Sequence, residues 1–288
     1  MAALGRGLLL VGGLWLAILA ANLGGRANTD PLMVFVGTQA GASGPTPALE
    51  VYDTSRQLQV TVYQGDGLRT VSTPLAGWRV ALTEQGNAQT VLSVVELPGR
   101  ARRIVTTYDA PSGNVAWSPD GTQLAYDVRN QLQVVEAATG RVQLSYDDMP
   151  MSYPVWGAMG QRLALLVYPD IYQFSLEEKR ARLWLDLPRN RRAYRLAWSP
   201  GGRWLAYILL PQDTDVYLHD THTDTTQVSR VLSLITVREL AWLDEERLAV
   251  VGGRSSLTPE AALLHLSTGE IEPLRLPPNY RSSLAWLR

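Results

Sequence analysis

The chain has 288 residues, no cysteine, 46% hydrophobic residues and 26 basic side chains against 27 acidic ones. Without cysteine there is no disulfide, thiolate metal site, cysteine nucleophile or cysteine-linked lipid. The even charge removes any global pull toward nucleic acid, and the hydrophobic fraction is enough for a sizeable core.

The first element is apolar. No charge falls between Arg6 and Arg26, and residues 7–25 read GLLLVGGLWLAILAANLGG. As a helix this stretch would be about 28 Å long, close to the thickness of bilayer hydrocarbon. Residues 1–26 are therefore expected to be a membrane anchor or a secretory signal, with membrane contact through residues 7–25. Either way the remainder is expected outside the cytoplasm, membrane-anchored, or periplasmic or secreted if the segment is cleaved. Residues 27–31 read as a tether.

From residue 32 to residue 288 a phrase recurs. AWSPDGTQLAY begins at Ala116, VWGAMGQRLAL at Val155, AWSPGGRWLAY at Ala197 and AWLDEERLAVV at Ala241. A worn copy, VSTPLAGWRVAL, begins at Val71, and LAWLR ends the chain. The aligned positions Ser72, Trp117, Trp156, Trp198, Trp242 and Trp286 are 45, 39, 42, 44 and 44 residues apart. Periods near 40–45 with four short strands each are the signature of a β-propeller.

Each copy parses alike. NVAWS is a strand, Pro119-Asp120-Gly121 a tight turn, QLAYDV an alternating strand, LQVVEA a third, and RVQLSY a fourth after Thr139-Gly140. Period-2 alternation between turn residues argues antiparallel sheet. EEKRARLWL, residues 177–185, has some helical character but aligns with a turn and a fourth strand. Residues 32–63 supply three strands with no inner strand before them, and SSLAWLR supplies an inner strand with nothing after it. The two ends are complementary. The expected fold is all-β: a six-bladed propeller of four-stranded antiparallel blades, closed by the carboxyl-terminal strand, plus the amino-terminal hydrophobic helix. The tryptophans are expected to pack between blades.

The WSPDG-x-x-LAY phrase resembles the TolB-type propeller repeat, found in periplasmic TolB proteins and in prolyl-oligopeptidase-like enzymes. The resemblance covers about residues 30–288 and implies the fold; the repeat itself is structural wherever it occurs. The α/β domain that precedes the TolB propeller has no counterpart before Asp30, and the peptidases' G-x-S-x-G elbow is missing.

Candidate chemistry is sparse. His219 and His222 have H-x-x-H spacing with Asp220 and Asp224 nearby, which invites a metal reading. The stretch aligns with the third-strand–turn–fourth-strand corner, where Asp220-Thr221 matches Asp53-Thr54, so a turn role is expected and no metal site is assigned. His265 has no evident partner. No catalytic residue and no cofactor is expected. The inner strands, read as VAWS, PVW, RLAWS, ELAW and SLAW, show no recurring titratable cluster, which argues against chemistry in the axial channel.

Arginine is more informative. Arg189, Arg191, Arg192 and Arg195 crowd the loop before an inner strand. In a propeller, fourth-to-inner-strand and second-to-third-strand loops share one rim, which adds Arg129 and Arg254. GASGPTP, residues 41–47, reads as a flexible loop on that rim. Arg129, Arg189, Arg191, Arg192 and Arg254 are the candidate protein-binding residues. The expected role is a non-enzymatic scaffold or accessory subunit of a membrane or envelope complex. The alternative is an enzyme or small-ligand receptor with its site in the axial channel.

Overall fold

In a strand, successive side chains face opposite ways, so a strand between two neighbours is apolar on both faces. Residues 32–36, LMVFV, are such a run, and all five are buried. The computed structural model describes residues 31–41, 44–97, 99, 101–111, 113–211, 215–229, 236–253 and 259–287. The amino-terminal apolar segment and its tether lie outside them, apart from Pro31.

The described residues form strands and turns. β1 (Leu32–Gly41), β2 (Gly44–Asp53) and β3 (Leu58–Gln64) come first. The second blade is β4 (Leu68–Ser72), β5 (Arg79–Gln85), β6 (Thr90–Glu96) and β7 (Ala101–Tyr108). The third is β8 (Val115–Trp117), β9 (Gln123–Val128), β10 (Gln131–Glu136) and β11 (Val142–Tyr146). The fourth is β12 (Ser152–Trp156), β13 (Arg162–Val167), β14 (Asp170–Ser175) and β15 (Arg180–Leu185). The fifth is β16 (Arg192–Trp198), β17 (Trp204–Leu210), β18 (Val216–Asp220) and β19 (Thr225–Ser229). The sixth is β20 (Thr236–Trp242), β21 (Arg247–Gly253), β22 (Glu260–His265) and β23 (Ile271–Pro273). The last strand, β24 (Tyr280–Leu287), pairs antiparallel with β1 and completes the first sheet in the order β24-β1-β2-β3. There are thus six four-stranded antiparallel sheets, and the ring closes by mixing the two ends of the chain.

The core is divided into six parts, one between each pair of adjacent blades. Val34 and Val36 of β1 pack toward the second blade with Val71 and Leu82. Met33 and Phe35, on the opposite face, pack toward the sixth blade with Val251 and Ala249. A one-residue slip would exchange the two sets, so strand register is strongly specified.

The recurring phrase is the inner-strand corner. The Trp117 indole Nε1 donates to Ser72 O at 3.0 Å, Trp156 to Ala116 O at 3.1 Å and Trp242 to Ala197 O at 2.9 Å. Each bond ties one blade to the inner strand of the blade before it. Trp198 donates instead to Gly202 O in its own corner, at 3.0 Å. Asp120 is a turn residue: its carboxylate accepts from Ser118 Oγ at 2.6 Å and Thr122 N at 3.0 Å, and Gly121 takes a φ of 66°. The fifth blade has Gly201 where the third has Asp120. There Glu245 of the sixth blade supplies the carboxylate, accepting from Ser199 Oγ at 2.8 Å and Gly201 N at 2.6 Å.

One loop differs from expectation. Gly41 and residues 44–47 are strand: β1 and β2 stay paired out to Gly41↔Gly44. β-Pairing has claimed Gly41 and Gly44–Pro47, whose composition alone reads as loop.

Candidate functional site at the axis and its rim

The inner strands β4, β8, β12, β16, β20 and β24 surround the axis. Two faces result. On one, the inner strands end, in tight Trp-Ser-Pro corners in the third and fifth blades. On the other, the entry face, they begin, and the fourth-to-inner and second-to-third connections gather.

Three residues before each aligned Trp or Ser lies a polar side chain: Arg69, Asn114, Tyr153, Arg195, Glu239 and Ser283. Pairing between the inner strand and its neighbour slips at or beside this position in five blades. Such bulges re-aim a side chain out of the regular alternation. Tyr153 and Ser283 sit there with φ of 56° and 55°, in the left-handed region that a side chain disfavours.

Five of these six positions join into a belt that runs from blade to blade. Asn114 Nδ2 donates to Pro154 O at 3.2 Å. The Arg195 guanidinium lies between two tyrosine rings, 5.1 Å from the Tyr153 centroid and 4.3 Å from that of Tyr194. Its Nε donates to Arg238 O at 2.8 Å and its Nη2 is 3.6 Å from Glu239 Oε1. The Glu239 carboxylate accepts from the Ser283 N–H, and Ser283 Oγ accepts from Val71 N at 2.9 Å. Arg69 is exposed. Burial pushes the Glu239 carboxyl up, against the pull of Arg195 and the Ser283 N–H. Burial opposes the charge on Arg195, but the Tyr153 and Glu239 groups more than offset it and hold its pKa above the usual value. The Tyr153 hydroxyl is raised, first by burial.

The absence of a recurring titratable residue on the inner strands therefore does not leave the axis without titratable groups. The cluster exists, but each blade contributes a different residue type, so no repeated letter marks it.

Asp127, on β9, fastens the third blade to the fourth. Its Oδ1 accepts from Asn114 N at 3.0 Å and Tyr153 N at 3.3 Å. A Cβ on Gly113 would fall 2.5 Å from Asp127 Oδ2, so glycine is required for this approach. Burial raises the Asp127 carboxyl despite these two bonds. The folded chain then binds this proton more tightly than the unfolded chain. Stability is greatest below the ordinary carboxylate range and falls as pH rises through the raised value. Asp127→Asn keeps an oxygen acceptor and removes the ionisation. It is expected to leave neutral-pH stability unchanged or higher, and to flatten its pH dependence across the weakly acidic range. Urea unfolding of the full chain at several pH values checks this; a large loss at neutral pH in the variant would show that the charge itself is required.

The rim arginines sit on the entry face, held by different anchors. Arg129 donates from Nε and Nη2 to Asp109 O at 3.2 and 2.9 Å. Arg191 Nη1 donates to the Tyr217 hydroxyl at 2.7 Å, and Arg192 lies 5.9 Å from the Tyr168 ring centroid. Arg189 is the freest, with a side chain 81% exposed and 3.8 Å from Asp186. Arg254 lies outside the described residues.

The histidines are elsewhere. His219 is buried on β18 with Nδ1 3.1 Å from Thr226 Oγ1 and its ring edge-on to Trp184. Burial pushes its imidazole pKa down, against Asp224 and Asp220. His222 is exposed in the next turn, where its backbone N–H donates to Asp220 Oδ1 at 2.9 Å. Asp53 accepts in the same way from Ser55 N and Arg56 N, as the alignment of the two corners predicts. His265 lies on β22, 3.4 Å from Glu272. All three histidines are on third strands or the turn after one, away from the axis.

No protein-family model matches the chain, and no curated protein matches it. Among solved structures, TolB from Acinetobacter baumannii superposes with a TM-score of 0.70 at 14% identity, over 94% of this chain and 70% of that one. The fold is that of the TolB-type propeller. A chain of a nidogen/laminin complex matches with a TM-score of 0.66 at 11% identity, over 90% of this chain and 98% of that one. An oligogalacturonate lyase in complex with manganese matches with a TM-score of 0.55 at 16% identity, over 78% of this chain and 70% of that one. The TolB-type propeller is thus an architecture shared with a protein complex and with an enzyme, and function has to be argued from the surfaces of this chain.

Proposed function

We propose that this chain is a non-enzymatic docking module that receives an acidic protein surface on its entry face. It works outside the cytoplasm, beside a membrane reached through residues 7–25, as a scaffold or accessory subunit of a membrane or envelope complex. The observation that carries the reading is the gathering of Arg129, Arg189, Arg191 and Arg192 on one face, three of them pre-positioned by Asp109, Tyr217 and Tyr168. Guanidinium groups so held lose little entropy on pairing with carboxylates and are frequent anchors of interfaces. The opposite face carries tight corners bonded within a blade, as at Asp120, or to the next blade, as at Glu245.

A photocrosslinking residue placed at Arg189 in the full chain, in its native cells, is expected to capture one acidic partner. The same residue at Met159, which is 87% exposed on the opposite face, is expected to capture none. Changing Arg189, Arg191 and Arg192 to alanine is expected to abolish salt-sensitive capture. Stability should change by about 0.5 kcal/mol or less at the exposed Arg189 and Arg192, and more at half-buried Arg191, which loses its bond to Tyr217. Capture from both faces alike, or capture unaffected by the arginine changes, would sink the reading. A reporter active only outside the cytoplasm, fused after Arg288, tests the location.

A second reading, a small-ligand receptor or enzyme at the axis, is favoured by the convergence of Tyr153, Arg195 and Glu239 there. The placement of every histidine away from the axis weighs against the enzyme form of it.

A further inference from the structure

On the entry face, between the inner strands of the fifth, sixth and first blades, lies a cavity of about 520 Å³. That is within the range of small-molecule sites, roughly 300–1,000 Å³. Its walls are of two kinds. Leu210 and Pro259 make an apolar side, backed by the buried Val237 and Val251, with Tyr194 beside Arg195. Arg238 and Arg281, from adjacent inner strands, make a cationic side, and the Glu239 carboxylate that also lines the cavity is paired with Arg195.

Two observations point to a ligand. Among the described residues, no carboxylate pairs with the guanidinium groups of Arg238 and Arg281, whereas Arg195 beside them is matched by Glu239. Two unpaired cations at the mouth of a concave site attract an anion. The Tyr280 hydroxyl, on a wall residue 8% exposed, is buried without a hydrogen-bond partner. Such orphans are costly and call for an explanation. That hydroxyl lies within electrostatic reach of Glu239, Arg195 and Arg238.

We propose that this cavity binds a small organic anion. Its carboxylate or phosphate sits between Arg238 and Arg281 and its apolar body lies against Leu210, Pro259 and Tyr194. The Tyr280 hydroxyl donates to the same ligand. This deepens the small-ligand reading of the axis and is independent of docking on the rim arginines.

Calorimetric titration of the full chain with phenyl phosphate, 3-phenylpropionate, inorganic phosphate and the neutral 3-phenylpropanol tests it. At least one aryl anion is expected to bind at least tenfold more tightly than the neutral alcohol and than inorganic phosphate. The tighter of the two aryl anions tells phosphate from carboxylate. Arg238→Gln with Arg281→Gln should weaken binding more than tenfold at an unchanged unfolding midpoint. Arg195 contacts only the carbonyl of Arg238, which the variant keeps. Tyr280→Phe should weaken binding and, by removing the orphan hydroxyl, leave the free protein as stable or more so. Binding of 3-phenylpropanol as tightly as the anions would overturn the anion assignment while keeping a ligand site. Absence of binding by all four probes, or anion binding indifferent to both variants, would overturn the site itself. Neither result touches crosslinking from Arg189.

Discussion

Removing residues 280–288 is expected to unfold the ring, with no open form of five blades and a three-stranded sheet surviving. The strand is paired with β1 from Leu32↔Leu287 to Gly37↔Tyr280. Its buried side chains Tyr280, Leu284, Trp286 and Leu287 join the core between the sixth and first blades, or that between the first and second. Large buried side chains are worth about 1.5–3 kcal/mol each, so together these approach the whole stability of a domain, about 5–15 kcal/mol. The deletion also takes the Ser283 N–H from the Glu239 carboxylate and the Trp286 carbonyl from Thr73 Oγ1. It bares an edge of β1, a template for aggregation. A milder change grades the effect: Trp286→Ala is expected to cost about 3–5 kcal/mol. Its indole Nε1 has no partner, unlike those of Trp117, Trp156 and Trp242, so Trp286→Phe should cost much less. Denaturant unfolding and sedimentation measure all three. A monomeric deletion as stable as the parent would show that the ring does not depend on this closure.

The closure was legible because it is an arithmetic of strands: three at one end, one at the other, and a tryptophan that keeps the register. The Asx-type corners at Asp53 and Asp220 were legible because a side chain and the two amides it accepts lie within three residues. What the sequence hid is non-local. Glu245 does for Gly201 what Asp120 does within its own turn, from 44 residues away. The axial belt draws Asn114, Tyr153, Arg195, Glu239 and Ser283 from five different blades. They share only an offset of three from the aligned tryptophan, and their chemistry differs at each copy because each bonds a different neighbour. The pairing slips at or beside four of them leave no letter of their own. The arginines of RNRRAYR look alike in sequence, yet Arg189 reaches solvent and Arg195 is enclosed between Tyr153 and Tyr194.

That contrast gives the second large expected effect. Arg195→Ala should destabilise the ring by about 2–4 kcal/mol, while Arg189→Ala stays within about 0.5 kcal/mol. Breaking a fully buried pair costs about 3–5 kcal/mol. The lower figure is taken because the Arg195 and Glu239 side chains keep 22% and 20% exposure to the channel. Removing the guanidinium also forfeits its stacking on two rings and its bond to Arg238 O, and leaves the Glu239 carboxylate facing the channel without a cation. Burial already raises the Glu239 carboxyl, and losing Arg195 raises it further. Folding then favours the protonated acid, so the variant's stability should fall more steeply than the parent's as pH rises through the raised value. The loss should be least in acid, where Glu239 carries its proton in folded and unfolded chains alike. Glu239→Gln in the Arg195→Ala background should recover part of the neutral-pH loss, and the double-mutant cycle should return a coupling that shrinks toward low pH. A loss independent of pH, with no recovery by Glu239→Gln, would mean that Arg195 holds the axis by stacking and packing alone.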